Sequence, residues 1–174
     1  MPFSSDDLLA HLRERGIMAE LHEHPPVLTV EAMLAHCGDI PGAHTKNLFL
    51  RDGKKAHFLV TLRHDARVDL TAFRQVLGAW GGLSFASADA LREHLGVESG
   101  AVSPLAAMNA QPGGVRVFIE QSLVEAERIN IHPLVSTRTL SIVPATVIDI
   151  LGDAGHSVTT FTLPQTGSDE PDAA

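Results

Sequence analysis

The sequence predicts an α/β chain of the α+β type: a mixed, largely antiparallel central sheet surrounded by helices. Three observations predict it. Two apolar runs, Lys46–Leu50 and His57–Leu62, flank an Asp52-Gly53 turn, and Asp-Gly between strand-forming runs signals a hairpin. Both runs are apolar at nearly every position, the pattern of strands covered on both faces and therefore inside a sheet. Helical and extended stretches interleave along the rest of the chain, but the hairpin and other turn-linked strands prevent a purely parallel sheet.

Taken in order, Ser5 is expected to cap a first helix with Asp6 and Asp7 in its first turn, Leu8, Leu9 and Leu12 on one face, and Gly16 as its stop. Ile17 to His22 reads as a strand. The His24-Pro25-Pro26 corner forces an extended turn, and Thr29 caps a short helix from Val30 to His36, ended by Gly38. After the hairpin, Asp69 or Thr71 starts a helix that ends at Gly78. A short strand, Leu83 to Ala86, precedes a helix capped by Ser87 and stopped by Gly96. Ser103-Pro104 opens a short helix to Asn109, with proline at its first position. Val115 to Glu120 alternates as a strand with one wetter face, and a helical turn near Ser122 to Glu127 leads to Ile129-Asn130-Ile131-His132-Pro133. Arg138 to Val143 is a strand, Pro144 begins a helix to Gly152, and His156 to Leu163 is the last strand.

The 174 residues fit one domain over 1–164, with 165–174, rich in Gly, Ser, Asp, Pro and Ala, read as a frayed tail. No apolar run approaches the ~20 residues of a membrane span. Residues 1–7 carry neither the basic region nor the apolar core of an export signal. The single cysteine, Cys37, rules out an internal disulfide, so a cytoplasmic location is expected. A net charge of −8 argues against a nonspecific grip on phosphates. It leaves room for a nucleic-acid end at a local basic patch of Arg51, Lys54, Lys55, Arg63 and Arg67, residues that ordinary solvated surface also explains.

Lys46 is one of only three lysines, and Lys54 and Lys55 belong to the turn. Leu48 and Leu50 share its side of the pleat. An ammonium at the edge of an apolar cavity suits a phosphate, a carboxylate or a polarised carbonyl; a lysine snorkelling to water from a strand end is the plain alternative. The Gly100 to Pro104 loop, running into a helix, offers backbone N–H groups to an oxyanion. No Gly-x-Ser-x-Gly elbow is present, and Cys37 reads as a structural thiol. Among ten histidines, His22, His24 and His44 invite a metal reading, but no metal-ligand spacing supports it. Neither metal nor cofactor is expected. What remains is a site without a protein nucleophile: Lys46 for charge, the loop for donors, and Asn47 and His132 for orienting hydrogen bonds. Such a set suits water attack on an activated ester.

Four stretches, in this order, carry a family resemblance: Glu23-His24-Pro25-Pro26-Val27 with Thr29-Val30-Glu31, Lys46-Asn47-Leu48-Phe49-Leu50, Gly100-Ala101-Val102-Ser103-Pro104, and Ile131-His132-Pro133-Leu134-Val135. They resemble the prolyl-tRNA synthetase editing-domain family, often called YbaK/ProX-like, whose Gly-x-x-x-Pro loop is the third of them. The resemblance implies that family's fold and the hydrolysis of mischarged tRNA, with Lys46 positioning the substrate end. It places Gly100, Ala101, Val102, Ser103 and Pro104 at the substrate, and Pro26, Val27, Val30 and Met33 around the amino acid being removed. The implied partner is the acceptor end of tRNA(Pro) carrying a small amino acid, with prolyl-tRNA synthetase as a further candidate. Lys46 followed by Asn47, together with His132 to Val135, looks like the free-standing alanyl-tRNA(Pro) deacylase branch; the cysteinyl-tRNA(Pro) branch tends to have threonine after the lysine. Deacylation of cysteinyl or another small aminoacyl group stays open, as does a noncatalytic nucleic-acid-binding or adaptor protein on the same fold. Scarce aromatics (5%) count against the last reading.

Overall fold

A computed structural model describes residues 1–164; the expected tail, 165–174, lies outside the described residues. The sheet grows outward from the hairpin. Strands β2 (Ala43–Arg51) and β3 (His57–Arg63) pair antiparallel from Thr45 opposite Arg63 to Arg51 opposite His57. The Asp52 carboxylate closes the turn between them by accepting the N–H groups of Lys54, Ala56 and Trp80, each at 2.9 Å. Beyond β3 lie two parallel neighbours, β5 (Val115–Glu120) and β8 (Val158–Phe161). On the other side β2 runs parallel to β6 (Ile129–Ile131), which pairs antiparallel with β7 (Arg138–Ile142) and through it with β1 (Glu20–Glu23). The two-residue β4 (Ser84–Phe85) clips onto the far end of β2.

The alternating side chains of β3 reach two different cores, as its unbroken apolar run requires. Phe58, Val60 and Leu62 pack with Leu50, Phe118 and Phe161 beneath α3 (Leu70–Leu77). Leu59 packs on the opposite face with Val117 and Ile119, beneath α1 (Ser5–Glu14), a 3₁₀ helix (Pro104–Asn109) and α6 (Pro144–Asp153). Each such side chain contributes ~1.5–3 kcal/mol when fully buried. A third, small cluster of Val27, Met33 and Cys37 lies under α2 (Val30–Cys37).

Several boundaries differ from expectation for local reasons. Ser4, not Ser5, caps α1, because Asp7 then stands at the third helical position and completes a capping box with it. Ser5 is free to accept a hydrogen bond from Arg138 at 3.0 Å. The strand expected over residues 17 to 22 starts only at Glu20. β5 has no wet face: Phe118 is buried, and only Arg116 is exposed, its guanidinium lying over the Phe58 and Phe118 rings. The helix after Ser87 begins as α4 (Ala88–Ala90) and widens into a π-turn over Leu91–Leu95 before Gly96. The helical turn near residue 122 is α5 (Gln121–Val124). Residues 129 to 131, whose sequence signals no element, form β6.

Candidate active site

The sheet has a gap, and a cavity fills it. β2 is bonded to β6 only at Ala43 and His44 and to β4 only at Leu50 and Arg51. Between those points its outer edge has no strand partner among the described residues. His64 N–H donates to the His44 carbonyl, which sets the phase of the antiparallel ladder. Lys46 and Leu48 therefore direct their main-chain groups to β3, and those of Asn47 face the gap. Ala86 N–H, donating to the Phe49 carbonyl at 2.9 Å, occupies the next position along. A cavity of about 480 Å³ opens there, bordered by residues 45 to 49.

Its walls come from six segments of the chain. Val27, Val30 and Met33, from the proline corner and α2, form an apolar side. Leu91 and Phe49 add to it. Ser99, Gly100 and Val102 bring the glycine loop, and His132 enters from the end of β6. No carboxylate side chain borders the cavity among the described residues. Of the sequence-predicted site residues, Val27, Val30, Met33, Lys46, Asn47, Gly100, Val102 and His132 thus meet at one place. Pro26, Ala101, Ser103 and Pro104 do not reach it. Ala101, Ser103 and Pro104 are buried behind the loop, where Ser103 Oγ caps the 3₁₀ helix through Leu105 N–H at 3.3 Å.

Most polar side chains here are already committed. Asn47 Nδ2 donates to the Val102 carbonyl at 3.0 Å, and its Oδ1 accepts from the Thr61 hydroxyl at 2.7 Å. Thr45 Oγ1 donates to the Asn130 carbonyl at 2.7 Å. Lys46 borders the cavity, but its cross-strand partner is Leu62, on the far face of the pleat, and its ammonium donates to the Ala66 carbonyl. Burial pulls the Lys46 pKa down, and Asp65 and Glu120 push it partly back. In the loop, Ala101 N–H is spent on the Glu98 carbonyl at 3.0 Å. The N–H groups of Gly100 and Val102 have no hydrogen-bond partner among the described residues.

His132 is the exception. Its Nδ1 lies 2.8 Å from the Arg138 carbonyl. A carbonyl only accepts, so Nδ1 carries the hydrogen and Nε2 presents a lone pair. Burial lowers its pKa, the Arg138 bond raises it less, and His24, whose ring centre is 6.3 Å away, lowers it further. The net downward shift favours the neutral imidazole.

Gly100 explains why the loop can approach so closely. Its φ is +89°, and a Cβ there would stand 2.7 Å from Leu28 Cδ2. Gly100→Ala is expected to cost ~1–2 kcal/mol in backbone strain and to push Leu28 aside; an unchanged thermal midpoint would count against that account.

The basic residues singled out in sequence do not make one patch. Arg51 and Arg63 stand at opposite ends of the hairpin, six steps of the ladder or ~20 Å apart. Lys54 lies over the Trp80 ring, 5.0 Å from its centre, and Arg63 is 3.6 Å from Asp65. The histidines that invited a metal reading are engaged separately: His24 with Pro25 and Thr139, His44 with Gly38 and Asn130. No three His, Cys, Asp or Glu side chains are grouped to hold a metal ion among the described residues. The sequence reading missed Thr61. A threonine inside a fully buried strand must find a partner, and that was the available signal.

Known proteins match this chain over most of its length. The profile of the aminoacyl-tRNA editing domain matches residues 24–150. A prolyl-tRNA synthetase associated domain-containing protein 1 from Bos taurus is 35% identical over 158 residues, covering 86% of this chain and 92% of its own. The prolyl-tRNA editing protein ProX of Acetoanaerobium sticklandii is 37% identical over 127 residues, 72% of this chain and 77% of its own. A crystal structure described as a candidate trans-editing enzyme for prolyl tRNA synthetase superposes with a TM-score of 0.68 at 19% identity, covering 94% of this chain and 100% of that one.

Proposed function

This chain belongs to the aminoacyl-tRNA editing domain family, and from that premise we propose that it deacylates mischarged tRNA(Pro) in trans, with alanyl-tRNA(Pro) as its principal substrate. The observation that carries the reading is the inventory of the cavity. It has an apolar side of Val27, Val30 and Met33, a lysine on the bordering strand, glycine-loop N–H groups and an imidazole with a free lone pair, and among the described residues no carboxylate and no nucleophile–base pair lines it.

That inventory fits direct attack by water. The water oxygen bonds to the ester carbon, and the carbonyl oxygen becomes an oxyanion met by loop N–H groups and by Lys46 once its ammonium leaves Ala66. The carbon–oxygen bond to the ribose then breaks, and the proton lost by water ends on the ribose oxygen. The products are the free amino acid and the uncharged tRNA end. His132 Nε2 orients the attacking water through its lone pair. Such an enzyme has a physical reason to exist: a synthetase pocket built for proline cannot strongly reject a smaller apolar amino acid, because a methylene is worth only ~1–3 kcal/mol of discrimination.

The test is release of alanine from alanyl-tRNA(Pro) by the purified protein, with cysteinyl-tRNA(Pro) alongside. Turnover is expected for alanyl; binding of the tRNA without release would favour the adaptor reading. Activity should also report on His132. The working form is neutral and its pKa is depressed, so kcat/KM should hold at neutral pH and fall only below the ordinary histidine range of about 6.5. His132→Asn should remove that acidic limb. A limb that survives the substitution would assign it to another group.

A further inference from the structure

The site contains a brace that reaches it from inside the sheet. Thr61 is in the middle of β3, is fully buried, and faces Asn47 across the hairpin. Its hydroxyl donates to Asn47 Oδ1 at 2.7 Å, and Asn47 Nδ2 donates to the Val102 carbonyl at 3.0 Å. Three segments separated by 14 and 55 residues are thereby joined in one chain of two hydrogen bonds. We propose that Thr61 is a positioning residue for the deacylation: it fixes the Asn47 amide, and through that amide it holds the Val102 carbonyl away from the cavity.

Every bond in the chain has only one possible direction. A backbone carbonyl accepts and never donates, so the edge of Asn47 that meets Val102 is its NH₂ group. The amide oxygen is left facing Thr61, which must then donate. Replace that hydroxyl by a methyl group and the oxygen becomes a buried acceptor without a partner, which favours rotation of the amide away from its place. The Val102 carbonyl would then lose its donor. The adjoining loop turns at Gly100, whose φ is +89°, and among the described residues its only backbone–backbone hydrogen bond over 99–102 runs from Ala101 N–H to the Glu98 carbonyl. A Val102 carbonyl swung towards the cavity would set an acceptor dipole beside the oxygen on which negative charge develops, where donors are required. Thr61 itself does not border the cavity, so the effect travels through Asn47.

The proposal rests on the deacylase reading for its kinetic half and on the hydrogen-bond geometry alone for its structural half. The experiment measures both on the same preparations: steady-state hydrolysis of alanyl-tRNA(Pro), amide hydrogen exchange over residues 99–103, and thermal midpoint. Thr61→Val, nearly isosteric, is expected to lower kcat by about ten- to thirtyfold with KM within about twofold, and to speed loop exchange by about tenfold, the scale of one lost buried hydrogen bond. Thr61→Ser keeps the hydroxyl and should restore both to within about threefold of wild type. Should Thr61→Val fail to fold, Asn47→Asp takes its place, since it can still accept from Thr61 but presents no donor to Val102; faster loop exchange supports the brace and unchanged exchange overturns it. Wild-type kcat in Thr61→Val, unchanged loop exchange, or failure of serine to rescue would each overturn the proposal. An inactive wild-type protein whose loop exchange still responds to Thr61→Val would leave the brace standing and refute the deacylase reading instead.

Discussion

Lys46→Ala is expected to lose about 10²–10³-fold in kcat/KM for alanyl-tRNA(Pro), the scale of removing one principal donor to a developing oxyanion. The fold should survive. The lysine contributes one hydrogen bond to the Ala66 carbonyl, and the neighbouring Glu120 keeps its own partners, Arg63 N–H and the Ser122 hydroxyl, each at 2.9 Å. β2 is held independently by β3 along seven residue pairs. The position also bears on how the lysine works. Its strand borders the cavity, yet its ammonium rests on the far side of the pleat beside Asp65 and Glu120. On the proposed mechanism, substrate competes for that charge with a carbonyl and two carboxylates, and Lys46→Arg should not substitute well, since a planar fork cannot reproduce a rotating point charge. A folded Lys46→Ala protein with near-normal turnover would remove Lys46 from the chemistry.

Met33→Ala should change selectivity more than it changes alanyl turnover. Met33 has two roles at once: it borders the cavity, and it is 8% exposed within the small cluster with Val27 and Cys37. Shortening it opens volume on the wall proposed to separate alanine from proline. At ~1–3 kcal/mol per methylene-sized step, hydrolysis of prolyl-tRNA(Pro) or of a 2-aminobutyryl group should rise by roughly ten- to a hundredfold, with alanyl turnover reduced only modestly. The same deletion should cost ~2–3 kcal/mol of stability, at the low end for methionine because the lost atoms face a cavity that is already open. Thermal midpoint and substrate profile measured on one preparation separate the two roles. A destabilised protein with an unchanged profile would move the selective wall elsewhere.

Much of the scaffold was legible because its signals are local. The two apolar runs around Asp52-Gly53 specified the hairpin, and Gly16, Gly78 and Gly96 all stop their helices with φ between 62° and 67°, a conformation glycine adopts without strain. Thr29 and Ser103 cap where their chemistry says they should. Non-local pairing was not legible. Ile129–Ile131 is a strand because it lies parallel to β2 and antiparallel to β7, and three residues before a His-Pro corner carry no periodicity of their own. Phe118 shares the alternation of Arg116, as on a wetter face, yet α3 and β8 cover it.

The site divides along the same line. Residue types at Lys46, Gly100 and His132 pointed to polar chemistry without a nucleophile, and the structure gathers them around one cavity. The reason a cavity exists there is topological: β6 and β4 leave the middle of one β2 edge unpaired, which no residue of β2 announces. The direction of the Lys46 ammonium and the commitment of Asn47 to Thr61 and Val102 are likewise products of register.

The central claim is that this cavity hydrolyses a small aminoacyl ester and spares proline. Its most direct test is a side-by-side time course of wild-type protein with alanyl-, cysteinyl- and prolyl-tRNA(Pro), each corrected for spontaneous hydrolysis. The account predicts rapid loss of the alanyl ester, with the prolyl ester persisting at its uncatalysed rate. Hydrolysis of prolyl-tRNA(Pro) as fast as alanyl, or no acceleration for any of the three, would contradict it.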